Sequence, residues 1–172
     1  MSLKTDRYEE ETDISFFYNT GTATRGGIAC MDTSTANASG AALDQGVNRA
    51  AYVAAVPASV PVGLLLNDVV NKDLTRTHMN FYKDEVQKGG KVTLLRRGWV
   101  VTNNITGSVA PGDLAFADSG VAGNMCNGAS LFGSAPFAAS GSFFKGSGNF
   151  LIGRFMSNKD ADGYAKVWIN IV

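Results

Sequence analysis

The hydrophobic positions of this chain fall in short runs of strand length, punctuated by glycine, proline, asparagine and aspartate. Tyr52-Val53-Ala54-Ala55-Val56 and Val62-Gly63-Leu64-Leu65-Leu66 are bounded by Pro57, Pro61 and Asn67-Asp68, which suits strands better than helices. Gly26-Gly27-Ile28-Ala29-Cys30-Met31 reads as a strand leaving a glycine turn, and Asp32 to Gly46 as a small, polar loop. Lys91-Val92-Thr93-Leu94-Leu95 and Gly98-Trp99-Val100-Val101-Thr102 form two β-prone runs separated by Arg96-Arg97, with Asn103-Asn104 as turn residues after them. Val109-Ala110-Pro111-Gly112-Asp113 predicts a turn, and Leu114 to Ala117 the strand that follows it. In the closing run, Lys166, Trp168 and Asn170 alternate with Val167, Ile169 and Ile171, the period of two of a hairpin's last strand. Its turn is Ser157 to Gly163. The Val62-Gly63 and Ile152-Gly153 segments echo one another, each reading as a strand that bends at its glycine. Thr75 to Gln87 suits a short helix or an irregular excursion. The expected fold class is all-β, mainly strand with at most one short helix, in a compact barrel-like body.

Two stretches stand apart from this pattern. Residues 1–25 begin polar and acidic and then carry Asp13, Ile14, Phe16, Phe17 and Tyr18, with Arg25 near the end. Large rings left in water are unfavourable, so this reads as an arm that docks, either on its own body or on a partner. Deleting residues 1–24 is expected to leave a folded body that no longer binds. Residues 26–172 then form a single β-rich domain, interrupted at about 121–149 by a Gly/Ala/Ser-rich insertion with Phe132, Phe137, Phe143 and Phe144. Long structureless insertions are uncommon without a role. It is either a lid over the protein's own core or a surface that packs against a neighbour.

Composition narrows the function more than the fold. Lys plus Arg and Asp plus Glu each total 15, so no global field gathers nucleic acid or an anionic membrane at the surface. Lys88, Lys91, Arg96 and Arg97 form the one local basic patch, and a solvated strand edge accounts for them. Charged residues make up 17% of the chain, and a low-charge surface suits a protein covered by neighbours. Cys30 and Cys126 lack C-x-x-C spacing and are expected as buried thiols, with one disulfide left open. Ala50 to Leu66 is interrupted by Pro57 and Pro61, short of the about 20 apolar residues that span a bilayer. Met1 to Glu11 lacks the basic and apolar regions of a secretory signal. The expectation is a soluble protein made in a cytoplasm.

No catalytic pattern is complete in this sequence. His78 is the one histidine, in a polar stretch with no G-x-S-x-G elbow anywhere in the chain. Gly89-Gly90-Lys91 invites a phosphate-loop reading, but Val92 stands where Ser or Thr would hold magnesium and Glu85 where the first glycine belongs. After Gly146-Ser147-Gly148, Leu151 replaces the third glycine of a dinucleotide fingerprint. Asn158 to Gly163 resembles the start of a calcium loop, yet Ile169 occupies the closing carboxylate's place, and Asp with Gly is also what a turn prefers. No sequence feature selects a pair of carboxylates for glycoside hydrolysis. The expectation is a protein with no catalytic residues, cofactor or metal.

Several segments together resemble the head decoration, or capsid cement, proteins of tailed bacteriophages: Pro61 to Asp68, Gly89 to Val92 with Gly98 to Val101, Val109 to Phe116, Leu151 to Arg154 and Ala165 to Ile171. The resemblance covers most of Tyr52 to Val172. It implies a β-barrel or β-tulip body, commonly a homotrimer, that binds the outside of an expanded icosahedral head and bridges major capsid protein subunits. It further implies synthesis in the host cytoplasm, residence on the virion, no nucleic-acid or membrane partner, and an arm that adds a strand to the capsid protein, here at Asp13 to Tyr18. The rings of Phe16, Phe17, Tyr18, Phe132, Phe137, Phe143 and Phe144, with Asp13, Ile14 and Arg25, would then be partner contacts. The longer arm and the 121–149 insertion depart from the smallest members of such families, which leaves the oligomeric state and the shell-facing surface open. Other readings are a tail or fibre module, and a carbohydrate-binding β-sandwich stacking sugar on Trp99 or Trp168, although core packing accounts for both tryptophans.

Overall fold

The computed structural model describes residues 2–21, 23–32, 48–53, 59–69, 85–86, 88–127 and 150–171. In chain order the strands are β1 (Leu3–Asp13), β2 (Phe17–Tyr18), β3 (Ala23–Thr24), β4 (Ile28–Met31), β5 (Arg49–Ala51), β6 (Pro61–Val69), β7 (Glu85–Val86), β8 (Lys91–Thr102), β9 (Leu114–Ala117), β10 (Met125–Cys126), β11 (Leu151–Phe155) and β12 (Ala165–Asn170). Among the described residues there is no helix, and the all-β class holds. Of the excursion expected at Thr75 to Gln87, only β7 lies within the described residues.

Strand β8 organises the rest. The two runs on either side of Arg96-Arg97 are one strand, Lys91–Thr102, rather than two. Its first half closes a five-membered ring, β8-β2-β5-β4-β6 and back to β8. Closure leaves no free edge around the ring, which is how a barrel satisfies its backbone groups. Tyr18, Ala29, Ala50, Leu65 and Leu94, one from each of these strands, meet in a single buried cluster. The alanines make room for the Tyr18 ring and the leucines, the large-with-small filling that a narrow barrel requires.

The second half of β8 continues into an open sheet of order β1-β8-β12-β11-β9-β10. Its inward side chains, Val100, Val167, Ile169, Ile152 and Phe155, share a second core with Ile28, Leu64 and Leu66 of the ring. Two glycines permit close strand approach in this sheet. A Cβ at Gly98 would lie 2.1 Å from the Tyr8 carbonyl oxygen, and one at Gly153 would lie 1.8 Å from that of Trp168. Gly63, the counterpart of Gly153 in the sequence echo, would place a Cβ 2.7 Å from Leu94 Cβ. Any side chain at these positions forces the strands apart.

Local details follow from turn chemistry and burial. In the turn before β9, the Asp113 carboxylate accepts from the Ala110 amide at 2.9 Å. In the turn before β12, Asp160 accepts from the amides of Asp162 and Tyr164 at 3.0 and 2.8 Å, so its oxygens cap backbone as an Asx turn does. Tyr52 ties the ring to its surroundings: its hydroxyl donates to the Thr24 carbonyl at 2.7 Å and accepts from the Gly27 amide at 2.9 Å. Burial raises its pKa, which keeps the donor proton in place. Cys30 and Cys126 are both buried free thiols, and burial pushes the Cys30 thiol up to about 12.

Candidate interaction surface

The acidic start of the chain is not separate from the body. Residues of β1 run antiparallel along β8 from Leu3 opposite Thr102 to Asp13 opposite Leu94, with three register shifts on the way. The side chains of Thr5 to Thr12 are all exposed, so backbone hydrogen bonds and charge hold the strand rather than burial. Its acids meet the basic patch of β8: Glu10 lies 3.2 Å from Arg97 and Glu11 3.9 Å from Arg96. At the other end Lys4 pairs with Asp160 at 2.9 Å. That contact raises the Lys4 pKa and lowers that of Asp160.

The aromatic island after β1 splits in two. Asp13 Oδ1 accepts from the Ser15 amide at 2.7 Å, a tight turn that releases the chain from one strand and starts the next. Ile14 is 51% exposed. Phe16 is partly buried against the ring's cluster, with its carbonyl accepting from the Val92 amide at 3.0 Å. Phe17 pairs with Lys91, whose ammonium lies 5.9 Å from the ring centroid. Tyr18, expected as a partner contact, is 2% exposed and stands edge-on to Tyr52 at 5.9 Å. It belongs to the protein's own core, because β2 is a strand of the ring. The expectation that removing residues 1–24 spares the fold is therefore corrected: that cut takes out β2 and Tyr18.

What the turn leaves outside is an apolar groove of about 230 Å³ lined by Phe16, Met31, Val60, Pro61, Val62 and Ile171, with Asp13 and Arg96 at its polar rim. Met31 is 40% and Val60 45% exposed, an apolar concavity open to solvent. Of the expected contacts, Asp13 and Phe16 line this groove and Ile14 adjoins Asp13 in the chain. Arg25 lies apart from them, with its carbonyl accepting from Asn104 at 3.4 Å. Phe132, Phe137, Phe143 and Phe144 lie outside the described residues.

Both tryptophans were missed as surface residues. Trp99 and Trp168 are opposite one another and partly exposed on the outward face of the open sheet, rather than in a core. The signal was present in the closing strand, where Trp168 alternates on the same side as Lys166 and Asn170. No cluster of three or more His, Cys, Asp or Glu suited to a metal occurs among the described residues.

A family model for phage cement proteins, described as structural cement protein (E217 gp24/Pam3 gp6), matches residues 12–170. The match takes in the ring and every strand of the open sheet except most of β1. No curated protein matches the chain.

Proposed function

The chain belongs to the phage structural cement protein family, with its place in the virion capsid, and from that premise we propose that it binds the outer capsid surface as a homotrimer and bridges neighbouring major capsid protein subunits in the expanded head. The observation that carries this reading is the family match over residues 12–170, which spans the ring and the open sheet together. The reading requires no catalytic group. Many weak contacts repeated over a lattice give an avidity that a single contact lacks. The open apolar groove beside the Asp13–Phe16 turn is consistent with such a role, since exposed concave apolar surface is where an anchor side chain from a partner gains most.

The test is the mass of the purified protein by light scattering, followed by co-sedimentation with expanded empty capsids of its phage and a thermal scan of the particles. Trimers that bind, and that raise the temperature at which the shell disrupts, are the expected result. Capsids that pellet without the protein refute it.

A further inference from the structure

The outward face of the open sheet carries a row of side chains that belong to neither core. Residues opposite one another on neighbouring strands project to the same side. The register aligns Tyr8 with Trp99, Trp99 with Trp168, Trp168 with Arg154 and Arg154 with Leu114. Four strand spacings of about 4.8 Å carry the row across roughly 19 Å. Tyr8 is 50% exposed, Arg154 is exposed and both tryptophans are partly so. On the next position of β12, Lys166 holds its ammonium 3.4 Å from the Trp99 ring centroid.

Charge at the β11–β12 end of this face is one-sided. Among the described residues neither Arg154 nor Lys166 makes an ion pair. The nearby acids of β1 are already engaged, Glu9 by Arg7, Glu10 by Arg97 and Glu11 by Arg96. The face therefore presents two aromatic planes and a phenol beside two uncompensated cations. Trp, Tyr and Arg are the side chains that dominate binding energy at protein interfaces.

We propose that this row is the docking face for an acidic segment of the capsid shell, whose carboxylates pair with Arg154 and Lys166 while an apolar residue lies on Trp99 and Trp168. The inference rests on the capsid-binding reading above. Charge complementarity selects the occupant. A second copy meeting this face about a two-fold axis at the β11–β12 end of the row would set cations against cations. Nucleic acid carries a phosphate at every nucleotide and along the row would meet the exposed Asp6 of β1, whereas a peptide can confine its carboxylates to the β11–β12 end.

The experiment compares wild type, the reversal pair Arg154→Glu with Lys166→Glu, and the charge-keeping pair Arg154→Lys with Lys166→Arg in co-sedimentation with expanded capsids. Circular dichroism melts check the fold. The reversal is expected to weaken binding about 100-fold with an unchanged melt, and the charge-keeping pair to bind within about threefold of wild type. Arg154→Gln, at an exposed position, is expected to lose about tenfold and serves if the reversal pair folds poorly. Wild type and reversal pair binding equally overturns the row while leaving the capsid reading intact; wild type that ignores capsids overturns the capsid reading itself. The chain has 2 tryptophans, both on this row, so fluorescence excited selectively in tryptophan reports this face alone. Quenching by a single-stranded oligonucleotide or by glycans, or a reversal that alters the mass in light scattering, would hand the face to another occupant and overturn the proposal.

Discussion

Strands β1 and β12 run antiparallel to the same stretch of β8, one along each edge, but they are held by different forces. β12 buries Ala165, Val167 and Ile169 and turns Lys166 and Trp168 outward, so its register is fixed by what a one-residue slip would expose. β1 buries Leu3 and leaves Thr5 to Thr12 exposed, so its register is set by backbone bonds and by acids facing arginines. The three shifts in β1's pairing against an unbroken register in β12 are the physical result. Side-chain burial specifies a strand position closely, while charge alone specifies it loosely.

Cuts at two points of the N-terminal segment should give the largest contrast. Removing residues 1–24 deletes β2 and opens the ring, and the expected outcome is loss of a cooperative thermal transition. Removing residues 2–12 takes only β1 and should leave a cooperative melt at lower temperature. Equal melts for the two truncations would mean that the ring does not depend on β2. Next in size, Ile169→Ala empties a fully buried site of β12 and should cost about 3 kcal/mol in urea unfolding. Tyr8→Ala on β1 should cost less than about 0.5 kcal/mol.

The glycines sharpen the same contrast. Gly153→Ala sets a methyl against the Trp168 carbonyl and Gly98→Ala sets one against the Tyr8 carbonyl. Strand β12 cannot retreat without exposing its core, whereas β1 can, so Gly153→Ala should destabilise by about 2 kcal/mol more. Amide exchange should rise along β1 alone in the Gly98 variant. The smallest effect concerns pH. Asp160's carboxyl is held below its usual 3.8 by Lys4, and the Lys4 ammonium is held above its usual 10.5 by Asp160. A lowered acid stabilises above its unfolded pKa and loses that contribution as pH falls through the folded value; a raised base does the converse. The pair therefore pins the start of β1 between those limits. Lower amide protection around Lys4, measured against the intrinsic exchange rate at each pH, is expected as pH falls below 3.8 and in Asp160→Asn, with little change in global stability.

The legible parts of the fold are those where side chains alternate. β12, the Pro111-Gly112 turn and the hairpin closed at Ser157 to Gly163 all follow from local pattern. The sequence echo at Gly63 and Gly153 also corresponds to two points of close strand approach. β1 was read as an arm because Glu9-Glu10-Glu11 has no apolar face to betray a strand; its partner lies about a hundred residues away in the chain, as the Thr102 hydroxyl 3.0 Å from the Ser2 carbonyl attests. Ring closure was illegible in detail because it passes through two-residue contacts, Phe17 with Arg49 and Tyr18 with Ala50. At the surface, Asp13 and Phe16 line the open groove while Tyr18, read from the same aromatic island, sits in the core, and the Trp99–Trp168 row needed the register between two strands.

The pairing of β1 and β2 with β8 also imposes an order of events in synthesis. Residues 3–18 leave the ribosome long before Lys91–Thr102 exist, so the earliest part of the chain must wait without its partner. Contacts this distant in sequence slow folding, and during the wait Phe16, Phe17 and Tyr18 stand exposed to other nascent chains. The acids of β1 stand immediately before those rings, and Glu10 and Glu11 meet their arginines only once β8 has been made.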